Sequence, residues 1–125
     1  MKAICLIALS IAISGFSIVA EELITISDSE AVQHIGQRVT VQGMVIKVTT
    51  SRAGNTFLNF GAPYPNQTFT GYIPAGTPLA LDPWTSSLQG KVVGITGVVA
   101  LYKGKPEIKI LSKEQIRAAS GGLGE

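Results

Sequence analysis

Arg38-Val39-Thr40-Val41-Gln42-Gly43-Met44-Val45-Ile46-Lys47-Val48-Thr49-Thr50 is the stretch that decides the fold. β-Branched residues fill it, and such side chains favour the extended, half-buried surface of a sheet. It is long for a strand, and Gly43 interrupts it, as a glycine does at a bulge or sharp bend. Working downstream, Ser51 to Asn55 reads as a turn and Thr56-Phe57-Leu58-Asn59-Phe60 as a second strand. Gly61 to Gln67 is a loop with two prolines, and Thr68 to Ile73 is a third strand around Gly71. Pro74 to Gly90 breaks the pattern with Pro74, Pro78 and Pro83, and predicts a loop with at most one helical turn around Pro83 to Leu88. Lys91 to Tyr102 is a fourth long strand carrying Gly94 and Gly97. Lys103-Gly104-Lys105-Pro106 is a tight turn, and Glu107 to Leu111 a fifth strand with Ile108 and Ile110 inward.

Upstream, Ser27-Asp28-Ser29-Glu30 reads as a capping box opening a helix of about two turns. Ala31, Val32 and Ile35 would form its apolar stripe and Gly36 its C-cap. Ser112 to Ile116 is a short closing helical turn. The prediction is an all-β domain: five strands in a small closed Greek-key barrel, with a short N-terminal helix and an irregular insert between strands three and four. Closure removes the exposed edges that five short strands would otherwise present. A barrel of this size and strand number is the OB-fold.

Residues 1–20 read as a separate segment. Lys2 precedes an uncharged run from Ala3 to Ala20, and Glu21-Glu22 follows. That is the pattern of a secretory signal peptide cleaved after Ala20; the competing reading is a retained membrane anchor. The expected domains are a signal peptide (1–20), the barrel (21–117) and a Gly-rich disordered tail (118–125). The expected location is periplasmic or secreted, with no stable membrane span after cleavage. The mature chain carries nine Lys and Arg against eight Asp and Glu. Near-neutral charge excludes a strongly basic nucleic-acid wrapper. Cys5 leaves with the leader, so the mature chain has no disulfide, no thiol catalysis and no Cys-ligated zinc.

The segments Gly36-Gln37-Arg38-Val39-Thr40-Val41-Gln42-Gly43, Gly54-Asn55-Thr56-Phe57-Leu58-Asn59-Phe60-Gly61, Gly90-Lys91-Val92-Val93-Gly94-Ile95-Thr96-Gly97 and Gly104-Lys105-Pro106-Glu107-Ile108 carry a family likeness. Through them, Gln37 to Gln115 resembles the OB-fold nucleic-acid-binding family, in particular its tRNA-anticodon-binding-like branch. The resemblance implies a binding face made by strands two and three with their flanking loops. It implies that Phe57 and Asn59 face the ligand, with Thr70 and Tyr72 beside them, while Leu58 and Phe60 face the core.

Phe57, Tyr72, Tyr64 and Trp84 could offer stacking surfaces to single-stranded bases. Trp84, in the Pro-rich insert, reads better as a plug for one barrel end. Between Lys91 and Arg117 six cations meet Glu107 and Glu114, a local balance of +4. Lys103, Lys105 and Lys109 are the candidates there for phosphate contacts. His34 is the only histidine, so no metal site is expected, and no cofactor. Asp28 and Glu30 sit in a helix cap, and only Arg38, Arg52 and Arg117 are available to a nuclease-like site. The expectation is a non-catalytic binding module for single-stranded nucleic acid, or alternatively for an oligosaccharide, a peptide or a partner protein.

Overall fold

The structure is a computed structural model and describes residues 22–118. The leader and residues 119–125 of the expected tail lie outside the described residues. No helix among those described is long and apolar enough to cross a membrane.

The architecture is mostly β, with eight strands in one sheet whose order is β6-β7-β4-β3-β2-β5-β8, and with β1 added on β2. These are β1 (Thr25–Ser27), β2 (Arg38–Thr50), β3 (Thr56–Phe60), β4 (Phe69–Ile73), β5 (Val92–Val98), β6 (Ala100–Tyr102), β7 (Lys105–Lys109) and β8 (Ile116–Ala118). Five strands were expected. Two of the three additions, β1 and β8, are three-residue strands; β1 ends on Ser27, read as the helix cap, and β8 takes Ile116 from the expected closing helical turn and Ala118 from the expected tail. The third comes from the stretch Lys91 to Tyr102, which breaks at Val99. Val99 donates its N–H to Gln37 O and accepts from Gly36 N, and so leaves the ladder. The stretch then changes neighbours: β5 pairs with β2, and β6 with β7. One continuous piece of chain thus supplies β6, at one end of the sheet path, and β5, next to the last strand at the other.

β2 is the pivot. Arg38 to Met44 pair antiparallel with β5, and Val45 to Thr50 with β3. Its inward residues run Val39, Val41, Val45 and then Val48, which breaks the two-residue period. A register shift between Val45 and Lys47 absorbs the extra residue, so the bulge falls past Gly43 rather than on it. Gly43 serves close approach instead, because a Cβ there would sit 2.6 Å from Asp28 Oδ1. Gly71 behaves alike: a Cβ would meet Ile95 Cδ1 at 2.7 Å and Ile110 Cδ1 at 2.9 Å. These glycines make room for side chains packed across the sheet; the bend expected from their backbone freedom is not their role.

Leu58, Phe60, Phe69, Ile73, Ile95, Ile108 and Ile110 are fully buried, and Phe60 meets Phe69 edge-to-face at 5.2 Å. The first helix is a 3-10 helix, Asp28–His34, with Glu30 accepting the Ser27 N–H at 2.9 Å. Only Ala31 of its expected apolar stripe is buried; Val32 and Ile35 face solvent, because the tighter 3-10 winding presents a narrower face. The insert forms two four-residue helices, Pro78–Leu81 and Pro83–Ser86, each opened by proline at its first position. The first was not expected. Leu79, Ala80 and Leu88 are buried there, and Trp84 packs against the core with Lys113 Nζ 4.2 Å above its ring.

Candidate ligand-binding cleft

The outer face of β2, β3, β4 and β7 is ordered by register. Thr49, Phe57, Tyr72 and Lys109 form one row across the strands. Lys47, Asn59, Thr70 and Glu107 form the next. Leu58 and Phe60 point the other way into the core, as expected. Phe57 and Tyr72 are half-buried and stack with centroids 5.6 Å apart and planes 21° from parallel.

Beside this pair lies a cleft of about 370 Å³. Its floor holds Phe57, Asn59, Gln67, Thr70 and Glu107, and its rim Thr49, Thr50, Ser51, Tyr64, Tyr102 and Lys103. Of the residues chosen from sequence, Phe57, Asn59, Thr70, Tyr64 and Lys103 come together here. Tyr72 stands behind Phe57 as its stacking partner.

Three expectations are corrected. Asn59 is on the outer face but only 2% exposed. Its Oδ1 accepts the Thr70 hydroxyl at 3.2 Å, and Thr70 Oγ1 accepts from Gln67 Nε2 at 3.2 Å. It supports the floor more than it presents itself. Lys105 does not line the cleft; its Nζ donates to Gln67 O at 3.0 Å and is held against the loop. Lys109 also lies outside the cleft, at the end of the aromatic row.

The cleft has one lining cation, Lys103, and one lining carboxylate, Glu107. Burial pushes the Glu107 carboxyl above the usual glutamate range, while Lys109, two residues along the same face, pulls it down. Lys103 occupies a left-handed conformation (φ 50°) before Gly104 (φ 80°), the geometry of a two-residue hairpin whose twist matches its strands. That turn sets the Lys103 amine 5.4 Å from the Tyr102 ring centroid. The loop leading to Gln67 is tied at its base, where the Thr68 hydroxyl donates to Asp28 Oδ2 at 2.5 Å.

Lys47, Gln67, Tyr102 and Glu107 were not among the sequence candidates. Lys47 reaches this face only because of the bulge. Glu107 read as an ordinary outward strand residue; only the parallel pairing of β4 with β7 puts it opposite Thr70. No three of His, Cys, Asp and Glu gather among the described residues.

No protein-family model matches the chain, and no curated protein does. Solved structures do. The OBody AM1L10, described bound to hen egg-white lysozyme, superposes with a TM-score of 0.55 at 23% identity over 82% of this chain and 98% of its own. Asparaginyl-tRNA synthetase of Entamoeba histolytica, in complex with asparaginyl-adenylate, gives 0.52 at 19% identity over 79% of this chain and 24% of its own. A protein assigned as an aspartyl-tRNA synthetase of Leishmania major Friedlin gives 0.52 at 11% identity over 87% and 23%. This chain thus spans about a quarter of the synthetase chains it matches. At these identities the likeness is one of fold, and the fold is an OB-fold.

Proposed function

We propose that this chain is a small exported OB-fold module, working outside the cytoplasm after cleavage at Ala20. In this reading it binds single-stranded nucleic acid weakly and catalyses nothing. The closed five-stranded form of the fold belongs to the same proposal, with β5 and β6 counted as one strand divided at Val99. The observation that carries it is the Phe57–Tyr72 stack, half-open on a sheet face beside a cleft, with Lys47 and Lys109 at opposite corners of the two rows and Lys103 on the rim. Aromatic rings there accept the π-face of any base, and the lysines flank a backbone path. The fold neighbours include tRNA synthetases, which is compatible with this reading.

Titration of labelled single-stranded DNA by fluorescence anisotropy tests it. Dissociation constants in the micromolar range or weaker are expected at moderate salt, the level of non-specific contacts. Three lysines contacting phosphates would give a log–log salt slope of about −2, from roughly 0.7 per phosphate on single strands. No binding at low salt sinks the proposal. A second reading, an uncharged oligosaccharide, a peptide or a partner protein in the same cleft, is favoured by Glu107, which opposes phosphates there.

A further inference from the structure

The loop from Gly61 to Gln67 forms one side of the cleft. Tyr64 at its crown lines the cleft and is 69% exposed, and the Asn66 N–H donates within the loop to Pro63 O. Gln67 at its end is 5% exposed. Its Nε2 donates to Thr70 Oγ1, but its Oε1 is buried with no hydrogen-bond partner among the described residues. An acceptor buried and unpaired is costly, and lifting the loop off the sheet would return it to water. The loop therefore needs ties from outside itself.

Two residues beyond β3 and β4 supply them. Lys105, on β7, donates from Nζ to Gln67 O at 3.0 Å. Asp28, in the first turn of the 3-10 helix, accepts the Thr68 hydroxyl on Oδ2. It is free to do so because Glu30 takes the Ser27 N–H of the helix cap. Two glycines clear room for the pair: a Cβ on Gly43 would sit 2.6 Å from Asp28 Oδ1, and one on Gly61 would sit 2.5 Å from Thr68 Oγ1. Thr68 Oγ1 also lies 3.1 Å from Phe60 O, so loss of Asp28 leaves the hydroxyl a partner at the base of its own loop and undoes only the tie to the helix.

We propose that Asp28 and Lys105 are positioning residues for the binding face: they hold this loop down, so that Tyr64 and Gln67 complete the cleft before a ligand arrives. The inference rests on the nucleic-acid reading above. A wall that is already ordered need not be ordered on binding, and that preorganisation tightens the complex without adding a contact. Neither residue touches the ligand, so losing either changes affinity but not the number of phosphates neutralised.

The test titrates labelled oligo(dT) of about 12 nucleotides, within the site size of one such fold, into the full chain and its variants over a range of salt. Asp28→Ala and Lys105→Ala should each weaken binding by about three- to tenfold with the salt slope unchanged, the scale of ordering one or two side chains. Asp28→Asn removes the charge but keeps an acceptor for Thr68, and should bind like the unmodified protein. In the free protein, amide hydrogen exchange of residues 62–67 should quicken in both alanine variants and not in Asp28→Asn. Thr68→Val cuts the same tie from the other side at nearly constant volume; it should match Asp28→Ala, and the double variant should be no weaker than either. Circular dichroism melts check that each variant folds. Unaltered affinity in both alanine variants overturns the positioning role and leaves the nucleic-acid reading standing. A flattened salt slope in Lys105→Ala makes that lysine a phosphate contact and overturns its assignment. Asp28→Asn binding as weakly as Asp28→Ala overturns the hydrogen-bonded tie. Absence of binding by the unmodified protein at low salt overturns both readings.

Discussion

The two walls of this molecule carry cavities of similar size, about 370 Å³ over β3 and β4 and about 320 Å³ over β2 and β5. Their chemistry differs. On the β5 wall, Thr40 Oγ1 and Thr96 Oγ1 are bonded to each other at 2.7 Å. Gln115 spends its whole amide: Nε2 donates to Thr96 O and Lys109 O, and Oε1 accepts from Leu111 N and Ser112 N. On that wall Thr40, Thr96 and Gln115 are partnered within the protein. On the β3 wall an amide oxygen has no partner, a carboxyl is held above its ordinary range, and an aromatic pair stays half-open. Cavity volume does not separate a binding surface from a seam; unspent hydrogen-bonding capacity does.

The contrast breaks most visibly at Gln115. Gln115→Ala removes four hydrogen bonds, three that brace the β7–β8 connection and one that ties it to Thr96 O on β5, and should lower stability by about 2 kcal/mol, less than their full sum because most are exposed. A chemical denaturation midpoint checks it, and oligonucleotide affinity should not move. Phe57→Ala should do the reverse. It removes a stacking surface and weakens binding by about 1–2 kcal/mol at every salt concentration, with a small effect on the melt because the ring is half-exposed.

Acidification sharpens the β3 wall. Because the Glu107 carboxyl sits above its ordinary value, it neutralises early as pH falls, and Lys103 then acts unopposed. Oligo(dT) should bind tighter, by less than about tenfold, as pH falls from neutral through the raised value, and Glu107→Gln should flatten the profile. The same shift has a stability sign. A carboxyl raised by folding costs stability at neutral pH, and that cost disappears as pH falls through the raised value and below the ordinary 4.5. The smallest effect separates two lysines that look alike in sequence. Lys109→Ala should reduce the salt slope by about 0.7, one phosphate on a single strand, whereas Lys105→Ala should leave it unchanged because its amine already holds Gln67 O.

Strands β2 and β3 were legible to the residue, since a β-branched run and a short alternating run between turns have few other ways to fold. The division at Val99 was not, because Val98-Val99-Ala100 continues the same composition and only the competing partners, β2 and β7, divide it. The place of Phe57 on the cleft face followed from the family resemblance, which gave strands two and three the ligand-facing side. Other polar groups of this face did not: Lys47, outside the cleft, depends on a bulge, Gln67 on the loop that bonds it to Thr70, and Glu107 on a parallel pairing between distant segments. Alternation gives the face of a residue but not its neighbour across the strand.

The central strand obtains its two neighbours on different schedules. β3 follows β2 after a five-residue turn, but the contact that joins Thr40 to Thr96 spans 56 residues. The β2–β3 hairpin can form early, while the other half of β2 waits for the last third of the chain and the closure of a long loop. Folding is therefore governed by its final strands. A chain cut before Val92 loses β5, β6, β7 and β8 together, and with them the β5 partner of Val41 and the buried Val93, Ile95, Ile108 and Ile110. Such a fragment should stay unfolded rather than retain half of the sheet, and a chain still being made or moved remains open until nearly all of it has arrived.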